Sequence, residues 1–233
     1  MSSIAILGYG KMGKRIEAFA RERNHTAVLC TNATPKHIPA EVEVIINFST
    51  PDSAFDLVSL GLTRGIPVIS GTTGWLDRLP EVEALAIKYN TAFLFSSNFS
   101  LGVHLFFALN QKLATLMAKQ GNYEVSIQET HHLQKLDTPS GTAITLANAH
   151  TAARNLQGYS EDPKTDYLPI RSIREGEVPG THVVQYTSAI DQISLKHEAF
   201  NRDGFALGAL IAAEWIIGKK GIFSLSDVLN IHA

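Results

Sequence analysis

The sequence predicts an α/β protein: a parallel sheet over the first hundred residues, then a second, mixed or antiparallel sheet. Two observations lead there. Short apolar runs at residues 4–7, 27–30, 42–48, 66–70 and 92–96 do not alternate, which is how strands buried on both faces read. Amphipathic segments at 14–23, 53–64 and 79–90 separate them, and alternating strand and helix builds βαβ units with right-handed crossovers.

After about residue 100 the pattern changes. Residues 103–119 read as a long helix, with Val103, Phe106, Phe107, Asn110, Leu113 and Met117 near helical spacing. Residues 123–130 alternate cleanly, with Tyr123, Val125 and Ile127 on one face and Glu124, Ser126 and Gln128 on the other. Such alternation suits a sheet with one face wet or covered by a partner. Further strands are expected at 168–173, 182–186 and 192–198, with a helix at 141–156. The run 205–217 is apolar on all sides and reads as a buried helix, and the loop 158–166 is the expected mobile segment.

Composition excludes several classes. Apolar residues make up 45% and charged residues 18% of 233, which is not the make-up of a disordered chain. A formal net charge of −2 argues against a general nucleic-acid or membrane-surface binder. One cysteine, Cys30, permits no internal disulfide and no Cys-cluster metal site. The first apolar run is too short for a signal peptide and the longest too short for a membrane span, so a cytoplasmic protein is expected.

Residues 4–7 run straight into Gly8-Tyr9-Gly10-Lys11-Met12-Gly13 and a helix. A G-x-G-x-x-G between strand and helix is the context of a dinucleotide site. The first glycine makes the turn, the second admits the pyrophosphate, the third lets helix and strand pack, and the helix N-terminus faces the phosphates. The second strand ends Cys30-Thr31-Asn32 without the acid that would hold an NAD ribose. NADPH should therefore be accepted as well as NADH, with Lys11 the candidate for the extra phosphate and Lys36 the other nearby charge. Two turns at expected strand ends, at Phe48-Ser49 and Gly71-Thr72-Thr73-Gly74, can line the nicotinamide end.

The most informative stretch is Glu129-Thr130-His131-His132-Leu133-Gln134-Lys135-Leu136-Asp137-Thr138-Pro139-Ser140-Gly141-Thr142-Ala143. It brings two imidazoles, an ammonium and a helix N-terminus capped by Ser140 to one place, which suits a small anion, most simply a carboxylate-bearing one. An imidazole can also hand over a proton near neutral pH. Adjacent histidines on a strand point to opposite faces, and no other residue has a supporting ligand spacing, so no metal is expected. Asp137 is expected to fix the loop or Lys135 rather than to act as a base.

The whole stretch resembles the signature of the dihydrodipicolinate reductase family, in a compact form, and the resemblance covers nearly the entire chain. Supporting pieces are Gly10 to Gly13, Gly71 to Gly74, Ser97-Asn98-Phe99-Ser100-Leu101-Gly102-Val103, and the tail from His197 to Gly208. Three departures are a glycine loop shorter by one residue, a short span between the second and third strands, and His104 where the family has asparagine.

The resemblance implies a Rossmann-type parallel-sheet domain, residues 1–101 plus 202–233, with an inserted α+β substrate and oligomerisation domain, residues 102–201, whose sheet makes a homotetramer. It implies His131 as general acid, with Lys135 assisting. His132 and Lys135 would contact substrate, and Ser140, Gly141 and Thr142 would grip a carboxylate of a small dicarboxylate. Ser97, Asn98 and Phe99 join the cofactor residues. Another NAD(P)-dependent reductase of a small keto or amino acid would share the same two-domain plan.

Overall fold

The computed structural model describes residues 1–30 and 38–231, so Thr31, Asn32 and Lys36, on which part of the cofactor expectation rested, lie outside the described residues. The elements in chain order are β1 (Ser3–Leu7), α1 (Lys11–Glu22), β2 (Thr26–Cys30), β3 (Val44–Asn47), α2 (Pro51–Thr63), β4 (Val68–Ser70), α3 (Leu79–Lys88), β5 (Ala92–Phe95) and α4 (Leu101–Met117). They continue with β6 (Glu124–His131), α5 (Gly141–Arg154), β7 (Gly158–Ser160), β8 (Tyr167–Arg174), β9 (Gly180–Thr187), β10 (Gln192–Ala199), α6 (Asp203–Ile216), β11 (Gly221–Phe223) and α7 (Leu225–Leu229). Two compact units result: Met1–Leu101 with residues 203–231, and Gly102–Arg202.

In the first unit, six strands lie in the order β11-β5-β4-β3-β1-β2, all parallel. Strand side chains alternate between two buried layers. Ile4, Ile6, Val44 and Ile46 pack with α1 and α6, while Ala5, Leu7 and Ile45 pack with α2 and α3. That double burial explains the unbroken apolar runs in the sequence. α6 is buried as its all-round apolar character requires, through Ala206, Ala209, Leu210, Ala213 and Ile216. Its Asp203 and Glu214 are paired with Arg15 and Arg23, so the charges on an otherwise apolar helix are answered by α1 and the residue just after it.

In the second unit the sheet order is β10-β9-β6-β8-β7, with β6 antiparallel to β9 and parallel to β8. β6 buries Val125, Ile127, Glu129 and His131 in turn, so its inner face is apolar for one half and polar for the other. α5 covers the apolar half with Ala143, Leu146 and Ala147. A buried chain of hydrogen bonds ties α4, α5 and β9 together. His150 Nδ1 meets the Tyr186 hydroxyl at 2.7 Å and His150 Nε2 meets Asn110 Oδ1 at 2.6 Å, while the Asn110 amide donates to the Leu146 carbonyl at 3.1 Å.

Two sequence expectations need correction. The loop 158–166, expected to be mobile, opens with β7, which pairs in parallel with β8, and the Gln157 N–H donates to the Asp166 carbonyl at 2.8 Å. Strand β11 and helix α7 were not expected at all; three and five residues are too few to show a period.

Burial pushes the His150 imidazole down to about 4, with the Arg154 charge adding to it. The unfolded chain takes up that proton near pH 6.5, whereas the folded one refuses it until about pH 4, so stability falls as pH drops through this window. We expect the free energy of urea unfolding to be lower at pH 5 than at pH 7. In His150→Gln that pH-dependent loss should shrink by about 1–2 kcal/mol.

Candidate functional site

The first unit gathers its candidate residues through strand direction. β1, β3, β4 and β5 are parallel, so the segments that follow them leave one sheet edge. They carry Gly8 to Gly13, Phe48 and Ser49, Gly71 to Thr73, and Ser97 to Phe99. β2 and β3 flank β1 on opposite sides, so the strand order reverses beside β1, the position where open α/β sheets bind ligands.

The glycines of the loop divide the work. Gly8 has φ +92°, and a Cβ there would lie 2.3 Å from the Phe48 carbonyl oxygen. A Cβ on Gly13 would lie 2.2 Å from the Gly8 carbonyl oxygen. Both positions are closed by backbone. Gly10 is different: a Cβ would meet nothing within 4 Å, and as N-cap of α1 it provides no side-chain cap. The first N–H groups of α1 are thus left without a side-chain partner beside open space, an opening that fits a pyrophosphate. Lys11 is exposed at the start of that helix; the Tyr9 hydroxyl is taken by Glu17.

The neighbouring turns are locked to one another. The buried Asn47 amide donates to Ser70 Oγ at 3.0 Å, Thr72 Oγ1 donates to the Ser49 carbonyl at 3.3 Å, and the Trp75 indole donates to the Thr72 carbonyl at 2.6 Å. Gly71 makes room for the Phe48 ring, which a Cβ would meet at 2.3 Å. Phe48 in turn packs on Phe99 with ring centroids 5.7 Å apart. Phe99 is 1% exposed and belongs to the core, so of this candidate only the backbone is available. Asn98 Oδ1 accepts from the Ser100 N–H at 2.8 Å, whereas Ser97 and Thr73 are exposed.

The second unit holds the imidazoles. His131 ends β6 with its side chain buried, and Lys135 sits in the following loop with its ammonium 2.8 Å and 2.9 Å from the two Asp137 oxygens. That pairing is the role the sequence suggested for Asp137. Ser140 caps α5, accepting from the Ala143 N–H at 3.2 Å. Its own N–H donates to Glu129 Oε1 at 3.0 Å and its hydroxyl lies 3.2 Å from His182 Nε2. The polar groups of Ser140 are thus engaged within the protein. The N–H groups of Gly141 and Thr142 belong to the unpaired first turn.

Three residues of this site were not among the sequence candidates. Glu129 is fully buried. His182 lies directly opposite it on β9, and Arg174 lies opposite His131 on β8. Glu129 Oε2 is 3.5 Å from both His131 Nδ1 and His182 Nε2, and the His131 and His182 rings meet edge to face with centroids 5.0 Å apart. Arg174 donates to the carbonyls of Asp137 at 2.7 Å and Lys135 at 3.3 Å, and to Glu129 Oε1 at 3.4 Å, so it ties the loop to the sheet. Strand alternation could have singled out Glu129, two residues before His131. Nothing short of the pairing register could have delivered His182 and Arg174.

These neighbours also correct the reading that His131 has no ligand-like company. Glu129, His131 and His182 each bring one ligand atom within 4.8 Å of the others, a spacing that a metal ion could use. Arg174 and the Ser140 N–H already occupy the other carboxylate oxygen, and Lys135 adds a second cation nearby.

Electrostatics follow from this packing. Burial pushes the Glu129 carboxyl up, but the His182 imidazole beside it, the hydrogen bond from the Ser140 N–H and the His131 imidazole overcome it and hold the group well below the usual carboxylate range. Burial, reinforced by His182, Lys135 and Arg174 against the opposing pull of Glu129, pushes the His131 imidazole down to about 4. In the free protein at neutral pH that ring is uncharged.

Residues 2–99 match the family described as dihydrodipicolinate reductase, N-terminus, and residues 102–229 match dihydrodipicolinate reductase, C-terminus. A 4-hydroxy-tetrahydrodipicolinate reductase of Christiangramia forsetii is 46% identical over 98% of each chain. One from Methanoregula boonei is 33% identical over 82% of this chain and 76% of its own. The fold is that of the dipicolinate-bound dihydrodipicolinate reductase of Paenisporosarcina sp. TG-14, with a TM-score of 0.77 at 24% identity over 96% of this chain and 97% of that one. Among the described residues, no helix is long and apolar enough to cross a membrane.

The open space at Gly10 and the closed space at Gly13 lead to opposite outcomes. Gly13→Ala should destabilise the fold by about 1–3 kcal/mol in urea unfolding, because backbone must shift. Gly10→Val should leave stability within about 0.5 kcal/mol while weakening binding of the reduced dinucleotide, NADH or NADPH, at least about tenfold, read from the fluorescence of the reduced nicotinamide.

Proposed function

The chain belongs to the dihydrodipicolinate reductase family, and we propose that it reduces 4-hydroxy-tetrahydrodipicolinate, through the cyclic imine left when water departs, to tetrahydrodipicolinate, a step of diaminopimelate and lysine biosynthesis. The observation that carries this reading is the joint presence of an open glycine-loop helix N-terminus in one unit and a buried imidazole beside Lys135 in the other. When bound, NAD(P)H supplies the hydride. Both NADPH and NADH are proposed to serve, with exposed Lys11 reaching the extra phosphate of NADPH. The backbone at Gly10, Lys11 and Met12 would hold the pyrophosphate, with Gly8 and Gly13 shaping the turn. Phe48, Ser49, Gly71, Thr72, Thr73, Ser97 and Asn98 would line the remainder of the dinucleotide site.

In the second unit the residues handle charge and one proton. Lys135, His132 and the N–H groups of Gly141 and Thr142 are proposed to hold the substrate carboxylates, which fixes the ring for attack. Ser140 supports them by capping the helix. The carboxylates compete with Asp137 for the Lys135 ammonium. Hydride and proton then add across one double bond, the proton coming from His131 to the carbon or nitrogen next to the reduced atom. A positioned proton donor contributes roughly 10²–10⁴-fold.

A ring that is uncharged in the free protein must gain its proton when the substrate arrives. A dianion beside His131 offsets Lys135 and Arg174 and makes protonation favourable. We further propose that the sheet of the second unit joins copies into a homotetramer, which light scattering at micromolar concentration would test. An enzyme drawing on NAD(P)H for biosynthesis is placed in the cytoplasm by the same reading.

The central experiment is an assay coupled to the preceding aldolase, following reduced-nicotinamide absorbance with each cofactor. His131→Ala should keep dinucleotide affinity and lose at least about 10²-fold in kcat. Lys135→Ala should raise KM and lower kcat together; wild-type kinetics in either variant would remove that residue from the reaction. Calorimetric titration with pyridine-2,6-dicarboxylate at pH 7, in two buffers of different ionisation enthalpy, should register proton uptake. Binding without proton uptake would contradict the charging of His131 by a dianion.

A further inference from the structure

Glu129 is fully buried and is two residues from the proposed acid on the same strand face, yet the reading above gives it no part in the reaction. We propose that Glu129 is the positioning residue for His131, its carboxylate fixing the ring through Nδ1 and leaving Nε2 as the nitrogen that hands over the proton. This rests on the proposed role of His131.

The geometry supplies both halves. Glu129 Oε1 is committed to the Ser140 N–H and to Arg174, which leaves Oε2, 3.5 Å from His131 Nδ1. His131 Nδ1 and Glu129 Oε2 are both buried without a hydrogen-bond partner, and their 3.5 Å approach is an ion-pair contact. A carboxylate at that distance and in that setting selects the tautomer with the proton on Nδ1. Nε2, the opposite nitrogen, lies over Gly180, where a Cβ would stand 3.2 Å away. The absent side chain at Gly180 is what keeps that nitrogen clear. The groups that face the imidazole are Glu129 on its own strand, His182 on β9, Arg174 on β8 and Lys135 in the loop. Three are cationic or can become so, and Glu129 is the single counter-charge among them. Its carboxylate is therefore what makes an imidazolium tolerable there. His182 shares the same oxygen at 3.5 Å, so it holds the carboxylate from the other side.

Glu129→Gln tests this, because its carbonyl can still accept from the Ser140 N–H while its amide would donate to His131 Nδ1 and force the proton onto Nε2. The expected result is a fall in kcat of about 10²-fold with KM changed less than about threefold. The alkaline limb of the kcat/KM profile should move to lower pH, since removing a negative neighbour makes the imidazolium harder to form. Ring-nitrogen NMR should show the neutral His131 tautomer switching from Nδ1–H to Nε2–H. The double variant His131→Ala/Glu129→Gln should be no slower than His131→Ala alone.

An unshifted profile and unchanged kcat in Glu129→Gln, with His131→Ala inactive, would overturn the positioning role and leave the acid in place. A wild-type rate in His131→Ala would instead remove the acid itself. If Glu129→Gln does not fold, ring-nitrogen NMR of the wild-type protein decides, and an Nε2–H tautomer in the neutral ring overturns the proposal. Loss of activity to a chelator and recovery with zinc would assign the three groups to a metal and overturn it equally.

Discussion

A carboxylate with no exposure to water governs the architecture of the second unit. Leaving Glu129 unpaired in the interior would cost several kcal/mol, so the chain must bring partners to it. They come from three separate elements: Arg174 from β8, His182 from β9, and the Ser140 N–H at the start of α5. Each arrival sets something else. Arg174 reaches on to the carbonyls of Lys135 and Asp137 and so shapes the loop that carries the ammonium. Ser140 fixes where α5 begins, which aims the unpaired N–H groups of Gly141 and Thr142. The register of three strands and the direction of one helix thus converge on a single charged group.

The first unit solves a different problem with different material. A phosphate is recognised by backbone N–H groups, so what the sheet edge must supply is bare main chain in fixed places. It does so by removing side chains where backbone passes close, at Gly8 and Gly13, and by bolting neighbouring turns together through Asn47, Ser70, Thr72 and Ser49. Among the described residues, titratable side chains are scarce along this edge. The second unit concentrates them. One unit offers geometry and the other offers charge, which matches a reaction in which a carrier must be held and a small anion must be protonated.

How much of this the sequence disclosed depended on whether the signal was local. The unalternating runs of β1, β3, β4 and β5 declare burial on both faces without reference to any other residue, and the glycine loop declares its turn in the same way. The alternation of β6 gave the inner face as far as Ile127 and, carried two and four residues further, would have led to Glu129 and His131. The pairing of Glu129 with His182, more than fifty residues on, depends on strand register, which one sequence does not encode in any short pattern. Arg174 was invisible for the same reason: an arginine at a strand end reads as solvated until the strand beside it is known. Ser140 shows the opposite failure. Its cap position was legible, but the two contacts to Glu129 and His182 that also occupy it were not.

Charge balance ties these residues to the choice of ligand. In the free site two carboxylates, Glu129 and Asp137, stand against two cations, Lys135 and Arg174, with the His131 imidazole uncharged. Burial, reinforced by the cations nearby, leaves the imidazole uncharged at rest. A neutral ligand would leave that balance untouched and the ring without a proton to give. A dianion upsets it by two charges in a region shielded from water, where a nearby charge is felt several times more strongly than in solution. The cheapest response is to take up a proton on His131, whose Nδ1 already faces the Glu129 carboxylate. On the proposed role of His131, selection for a doubly charged substrate and arming of the acid would be one electrostatic event, and a monoanionic keto acid that fitted the same pocket would drive it only in part.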